Sequence, residues 1–286
     1  MSAKISVIIV AYNSNEVLMP CLASLERYNP LGEAMEVIVV DNNPTVGLEE
    51  LIAAKKWNFS VVYKANPTND GFGGGNNRGV DLATAPVLFF LNPDTILVED
   101  VITPTLKKIE ENPDEVVGYS LIDVNGGPNN SFSYLPEYLF FFPLFHFLER
   151  LSPLWFVNRV GMLNRIAWPW GAAFSLRKDR FVKAGLFDEN IFLCNEEPDL
   201  MQRLPHRHLT MLKEHIIHLE GHGREVPVAR YLAYLKSLNY YLMKHQIWGQ
   251  KCFWTFFALK LKIKKALRGG EKDNFDLAYD VFLKEN

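Results

Sequence analysis

The chain has 286 residues, 48% hydrophobic and 22% charged, with a formal net charge of −3. That length holds one or two domains, and the composition excludes a disordered chain, a collagen-like repeat and a small disulfide scaffold. The charge excludes a general nucleic-acid binder, yet six Lys/Arg and no acid fall within Ile247–Gly270, and five acids against two lysines follow from Glu271.

Taken in order, Ile5-Ser-Val-Ile-Ile-Val10 is a nearly continuous β-branched run, the pattern of a strand buried on both faces of a parallel sheet. Val17, Leu18, Cys21, Leu22 and Leu25 recur at helical spacing. Glu36–Asp41 reads as a second strand, Leu48–Trp57 as a helix and Ser60–Tyr63 as a third strand. Asn76–Thr84 reads as a helix after a glycine-rich stretch, and Val87–Leu91 as a strand closed by Asn92-Pro-Asp-Thr95. Val101–Asn112 is helical and Val116–Ser120 a fifth strand. Strands alternating with helices predict an α/β fold, a doubly wound sheet of parallel strands.

Gly126-Gly-Pro-Asn-Asn130 is a turn cluster and the expected boundary. It divides a first half (1–125) from a second half of the same domain (126–226), with a helical C-terminal region (227–286) beyond. Trp168–Leu176 reads as a loop feeding a strand, Arg180–Ala184 and Pro198–Leu204 as short helices, and Ile216–Leu219 as a strand. From Pro227 to about Arg268 the pattern is helical. Cys21, Cys194 and Cys252 are scattered without a CxxC, which fits a reducing compartment and neither a disulfide framework nor a zinc site. Neither a signal peptide nor a membrane span is expected. The most apolar stretch, Tyr138–Val157, is broken by Glu149, Arg150 and two prolines.

Ligands of open parallel α/β sheets bind outside the carboxyl ends of the strands. Four such ends here are polar, aromatic or glycine-rich: Ala11-Tyr12-Asn13, Asp41-Asn42-Asn43, Asn69–Arg78 and Asn92-Pro-Asp94. Gly71–Gly75 has neither dinucleotide-fingerprint nor Walker spacing. It is a flexible turn or a backbone that must approach a ligand closely, with Asn76, Asn77 and Arg78 as donors. Asn92-Pro-Asp94 makes a good turn, and it also sets a carboxylate at the mouth of the sheet, where a cation shared with phosphates needs one. Glu196, Glu197 and Asp199 cluster at a helix start. Acids there complement the helix dipole, or they perform acid–base chemistry. His218 closes a strand and Gly221-His-Gly223 follows; imidazole can complete a metal site or fill a structural role.

The order Val-Ile-Ile-Val-Ala-Tyr-Asn, Val-Val-Asp-Asn, Asn-x-Gly-Phe-x-x-Gly-Asn-Asn, Leu-Asn-Pro-Asp, Phe-Asp-Glu-x-x-Phe, Glu-Glu-x-Asp-Leu and His-x-x-Gly resembles the family 2 glycosyltransferases, over about residues 4–225. Within them it most resembles the rhamnosyltransferase-like branch that builds bacterial surface polysaccharides. The resemblance implies a GT-A fold and inverting transfer from a nucleotide-sugar such as a dTDP- or UDP-sugar to a glycan or lipid-linked acceptor, with Mg²⁺ or Mn²⁺. It implies that Ala11, Tyr12, Asn13, Asp41 and Asn42 contact base and ribose, and that Gly71, Gly73, Gly74, Asn77 and Arg78 line nucleotide and sugar. It implies that Asn92 and Asp94 occupy the metal motif, that His218 adds a ligand, and that Trp170, Gly171 and Ala172 line donor sugar and acceptor. The base is expected at Glu197, where the family usually has Asp and where Pro198 follows, or else at Asp199.

Two further readings accompany this one. A non-catalytic nucleotide-sugar-binding subunit would share the motifs. A sugar-nucleotide pyrophosphorylase would want a basic glycine-rich loop after the first strand, where Ala11-Tyr12-Asn13 stands. In the C-terminal region, Phe256, Leu259, Ile263, Ala266 and Leu267 fall on one helical arc and Lys260, Lys264, Lys265 and Arg268 on another. With Trp248, Phe253, Trp254 and Phe257, segment 247–268 is expected to lie on the inner face of a cell membrane, to form a homodimer, or to pack on the catalytic domain.

Overall fold

The computed structural model describes residues 2–44, 47–136, 166–219, 226–247, 253–255, 257–259 and 272–285. The stretch Tyr138–Val157, the Gly221-His222-Gly223 turn, Trp248, Cys252, Phe256 and the basic run Lys260–Arg268 lie outside the described residues.

The first part alternates as expected: β1 (Ile5–Ala11), α1 (Asn15–Arg27), β2 (Met35–Asp41), α2 (Leu48–Ala53), β3 (Ser60–Ala65), α3 (Gly71–Leu82), β4 (Val87–Leu91), β5 (Thr95–Leu97), α4 (Ile102–Glu111) and β6 (Glu115–Ile122). Then follow β7 (Phe132–Tyr134), β8 (Ala167–Pro169), β9 (Ala173–Arg177), α5 (Lys178–Lys183), α6 (Glu196–Arg203), β10 (His208–His218), α7 (Val228–Lys244) and α8 (Asn274–Glu285). One sheet runs β3-β2-β1-β4-β9-β6-β10-β5, and β7 pairs with β8 in a small second sheet.

The sheet is mixed. It is parallel across β3-β2-β1-β4 and between β6 and β10. The expectation of parallel strands throughout fails at β9, which runs antiparallel to both β4 and β6, and at β5, antiparallel to β10. Both strands enter the sheet at the edge where the parallel strands end, β9 from the Trp170–Ala172 turn and β5 from the Asn92-Pro-Asp94 turn, so each runs back against them. β10 is also far longer than the strand expected at Ile216–Leu219. A register shift between Met211 and His215 interrupts its alternation and hides its first half.

Successive strand residues point to opposite faces. Ile5, Val7 and Ile9 of β1 face α1, α2 and α4 with Leu18, Leu22, Ile52 and Ile109. Ile8 faces α3, α5 and α6 with Val80, Phe181 and Leu200. At the centre of that second layer the Phe90 ring lies 4.9–5.4 Å from the rings of Phe174, Phe181 and Phe187, the spacing of favourable aromatic pairs. At the amino ends of the strands, buried Glu36 accepts hydrogen bonds from Ser6 Oγ (2.5 Å) and the backbone N–H of Thr84 (2.6 Å) and Ala85 (3.1 Å). α2 stops short of the expected Trp57, whose indole N–H donates back to the Ile52 carbonyl at 3.0 Å while its ring stacks on Phe59.

The glycine-rich stretch corrects another expectation: it is the first two turns of α3. A Cβ on Gly75 would stand 2.7 Å from Val10 Cγ1, and one on Gly79 2.4 Å from Ile8 Cγ2. These glycines let the helix lie almost on the backbone of β1.

In the C-terminal region, Phe253, Trp254 and Phe257 pack with Tyr279 and Phe282. They join α7 to α8 in a small aromatic core of their own. These three aromatics thus pack within the C-terminal region itself, against α7 and α8, and not on the catalytic domain as the packing alternative had it. Among the described residues no helix is long and apolar enough to cross a membrane.

Gly79→Ala is expected to destabilise the protein by about 1–3 kcal/mol, because overpacking against buried Ile8 outweighs the better helix propensity of Ala. Urea unfolding measures it, and an unchanged or raised stability would show that α3 can withdraw from the sheet.

Candidate active site

β1, β2, β3, β4, β6 and β10 all point their carboxyl ends to one edge of the sheet, and β9 and β5 begin there. The site residues collect along that edge in two groups.

The first group caps β1 to β3. Ala11 pairs with Asp41 in the ladder. Asp41 is buried and accepts from the Tyr63 hydroxyl at 2.9 Å and the Asn43 N–H at 3.1 Å. Burial and the Asp41 carboxylate push the Tyr63 phenol well up, so it remains a donor. Asn13 adopts a left-handed conformation (φ 54°) and accepts from the Asn43 amide at 2.7 Å. Tyr12 is 52% exposed beside them. A half-exposed ring next to a buried carboxylate can stack a planar base and hold a sugar hydroxyl. Asn42 is used inward: it donates to the Gly71 carbonyl at 2.8 Å and accepts from Asn66 at 2.9 Å.

The second group forms around the ends of β4 and β10. β10 pairs antiparallel with β5, setting Thr95 opposite His218. Asp94 Oδ1 therefore lies 3.4 Å from His218 Nε2. Burial alone would raise the Asp94 carboxyl, but hydrogen bonding to and the charge of His218, with the charge of Arg230, hold it below its ordinary value. The Asn92 N–H donates to the Ala172 carbonyl at 2.8 Å, which draws the Trp170–Ala172 turn against the Asn-Pro-Asp segment. The Trp170 ring stacks on Trp168 at 5.4 Å.

Gly171 receives the candidate base. A Cβ there would stand 1.6 Å from Glu197 Oε1, so the carboxylate occupies the space a side chain would fill. Glu197 is buried, and burial pushes its carboxyl up to about 7. Glu196 is buried beside it, raised first by burial and then by the Glu197 charge, and its Oε1 has no partner among the described residues. Just before this pair, Cys194 (φ 65°) and Asn195 (φ 71°) both take left-handed conformations, a costly backbone for non-glycine residues.

Three expectations are corrected. Asp199 is not available as the base. It is fully buried and bound by Lys244 (2.6 Å), His245 (2.8 Å) and Arg203 (2.7 Å). Burial would raise its carboxyl, but these hydrogen bonds and charges hold it low, so it takes up a proton poorly. Asn77 is buried and tethers the 187–189 segment, donating to the Phe187 carbonyl (3.0 Å) and Glu189 (3.1 Å) and accepting from the Phe187 N–H (3.0 Å). Arg78 pairs with Asp70 at 2.9 Å on the outer side of α3. The glycines beside them meet protein atoms: Gly71 the Phe192 carbonyl, Gly73 the Phe187 Cβ and Gly74 Asp70.

Motif reading passes over Tyr63, Arg230, Lys244 and His245. Tyr63 ends the strand expected at Ser60–Tyr63, two residues before β3 stops, so the strand-end rule could have found it. Arg230 and Lys244 sit in an ordinary helical pattern and carry no local signal.

A model of the family described as Glycosyl transferase family 2 matches residues 6–163. The chain belongs to that family. The match ends before Glu197 and His218, which the family-2 motif order alone assigns. The chain is 32% identical over 114 residues to the uncharacterized glycosyltransferase YfnE of Bacillus subtilis, covering 40% of this chain and 29% of that protein. It is 26% identical over 132 residues to the GalNAc(5)-diNAcBac-PP-undecaprenol beta-1,3-glucosyltransferase of Campylobacter jejuni, covering 46% and 42%. The chain thus spans under half the length of either relative. The mannosyltransferase PcManGT of Pyrobaculum calidifontis, solved with GDP-Man and Mn²⁺, superposes with a TM-score of 0.61 at 13% identity, over 86% of this chain and 64% of that one. The mixed sheet with flanking helices and a helical C-terminal extension is the GT-A fold.

Gly171→Ala is expected to leave this family 2 protein folded, because a Glu side chain can swing aside, while displacing the carboxylate from its slot. Turnover should fall tenfold or more with thermal unfolding nearly unchanged; full activity would remove Glu197 from the base role. Replacing Glu197 by Gln should also stabilise the fold. A carboxyl raised in the folded state costs stability as pH rises from its unfolded value near 4.5 through about 7. Glu197→Gln is therefore expected to gain on the order of 1–3 kcal/mol at pH 8 and nothing at pH 4, read by denaturant unfolding at both.

Proposed function

We propose that this chain moves a sugar from a nucleoside diphosphate donor to a hydroxyl of a glycan or lipid-linked glycan, with inversion and with the help of a divalent cation. The observation that carries the reading is the buried Glu197 carboxylate, set into the Gly171 slot at the edge where Asp94 faces His218.

In this reading the nucleoside rests on Tyr12, Asp41 and Tyr63, and the diphosphate lies towards Asp94. A carboxylate held ionised and an imidazole facing it fit a hard or borderline divalent ion whose other ligands are phosphate oxygens. Among the described residues no third His, Cys, Asp or Glu joins the pair. The cation, when bound, would offset charge on the departing diphosphate. Arg230, whose charge reaches both Asp94 and Cys194, would help the cation do so.

The acceptor oxygen attacks the anomeric carbon from the face opposite the diphosphate. The new C–O bond forms as the bond to phosphate breaks, the nucleoside diphosphate leaves with that electron pair, and the acceptor proton goes to Glu197. A carboxyl poised near neutrality suits that task, and direct displacement needs no protein nucleophile. Mn²⁺ with a nucleotide-sugar in the mannosyltransferase neighbour supports the donor and metal class. The undecaprenol-linked name of the Campylobacter relative supports a lipid-linked acceptor; the inner face of the cell membrane as the place of work is part of the proposal alone. Rhamnose or a similar hexose rests on the motif order alone.

Calorimetric titration with dTDP, UDP and GDP, each with and without Mn²⁺, tests the reading. One nucleotide should bind in a metal-dependent way and be lost in Asp94→Ala. Glu197→Gln should keep that binding and lose turnover by a factor on the order of 10²–10⁴. Binding without turnover by the unmodified protein, across donors and acceptors, would favour a non-catalytic nucleotide-sugar-binding subunit.

A further inference from the structure

Residues 188 to 199 run from a loop that ends in the strained Cys194-Asn195 pair into the first turn of α6, which carries Glu196 and Glu197. Asp188 at the start of this segment and Asp199 at its end meet at one ammonium. Lys244 Nζ lies 2.6 Å from Asp188 Oδ2 and 2.6 Å from Asp199 Oδ1. Around it, the Tyr240 hydroxyl donates to Asp188 Oδ2 at 2.9 Å and His245 Nε2 stands 2.8 Å from Asp199 Oδ1. Arg203, from α6 itself, takes Asp199 Oδ2 at 2.7 Å. The groups facing the ammonium are thus Asp188 from the loop, Asp199 from α6, and Tyr240 and His245 from its own helix. Asp199 is fully buried, and the side chains of Asp188 and Lys244 are 14% and 25% exposed.

Lys244 and His245 lie at the end of α7, far beyond residue 163, where the family match stops. We propose that Lys244 is a positioning residue for the transfer reaction: its ammonium clasps Asp188 to Asp199, closes the 188–199 loop, and so holds Glu197 in the Gly171 slot. The proposal rests on Glu197 being the base.

The physical argument has two parts. A buried and a partly buried carboxylate brought to one point repel unless a cation lies between them; removing Lys244 leaves Asp199 to Arg203 and His245 but takes away the cation that ties Asp188 to it. An unclasped loop also regains conformational freedom, and the left-handed pair at 194–195 is the natural place for it to relax, since such conformations persist only when their surroundings hold them. Relaxation there moves Glu197 directly, and a shift of about 1 Å in a reacting group can cost on the order of 100-fold in rate.

The experiment compares the full chain with Lys244→Met and Lys244→Arg by amide hydrogen exchange, steady-state kinetics and pH profile. In Lys244→Met, exchange across 189–198 should speed up about tenfold or more relative to β1 and β2. kcat should fall on the order of 10- to 100-fold with donor KM little changed. The acid limb of kcat should move to lower pH, because a loosened Glu197 gains water and its carboxyl falls towards its ordinary value; the charged groups nearest it, Glu196 and Asp199, remain in place. A general loss of stability would not move that limb. Lys244→Arg, which can still span two carboxylates, should restore part of kcat.

A folded Lys244→Met protein with unchanged exchange across 189–198 overturns the proposal, as does unchanged kcat alongside normal turnover by the parent. Should Lys244→Met fail to fold, Asp188→Asn releases one end only and should shift exchange and kcat in the same directions by less; no shift there overturns the proposal equally. If the unmodified protein transfers no sugar while exchange still rises in Lys244→Met, the clasp stands and the transferase reading falls.

Discussion

The catalytic edge depends on one strand running against its neighbours. β9 descends from the Trp170–Ala172 turn between β4 and β6, pairing Leu91 with Ala173 and Val116 with Leu176. Because it begins where the parallel strands end, its leading turn is delivered to the ligand-binding edge. That turn then does two things. Its Ala172 carbonyl takes the Asn92 N–H, and its Gly171 leaves room for the Glu197 carboxylate. A β9 parallel to β4 would put the turn at the opposite edge, away from Asp94.

The same edge concentrates electrostatic cost. Asp41, Asp94, Glu196, Glu197 and Asp199 are all buried or partly buried there, and each is treated differently. Asp41 is held by hydrogen bonds from Tyr63 and Asn43, Asp94 by an imidazole, and Asp199 by three basic side chains. Burial pushes the carboxyls of both Glu196 and Glu197 up, that of Glu197 to about 7, while those of Asp94 and Asp199 are held low. Groups whose environments drive their proton affinities apart divide acid–base work among themselves. Of the raised pair, Glu197 is the one set against Gly171 in the Trp170–Ala172 turn, which suits it to accept a proton there.

Much of this was legible in the sequence, in a specific sense. β-Branched runs such as Ile5–Val10 are strands whatever surrounds them, and a polar residue directly after such a run lies at the sheet's mouth. Asp41, Asp94 and Glu197 were singled out as candidates in that way or by motif order. Direction and partner were not legible, because they depend on connections rather than composition: β5 and β9 are three- and five-residue strands with no mark of their antiparallel course. Gly71–Gly75 misled because glycine serves equally a mobile loop and a close contact inside the fold, and only the neighbours, Phe192 at Gly71 and Val10 at Gly75, decide. Asp199 misled because helix position says nothing of what covers it; Lys244 comes from a helix forty-five residues later.

The opposite edge has a different character. There, buried Glu36 draws β1, β2 and the segment before β4 together through Ser6, Thr84 and Ala85. These are charge-assisted hydrogen bonds in a dry environment, which are strong. Stability and chemistry thus lie at opposite ends of the same strands. Loops at the working end can be exchanged during evolution without loosening the rivet at the other, and a scaffold anchored this way can change what it binds while keeping its fold.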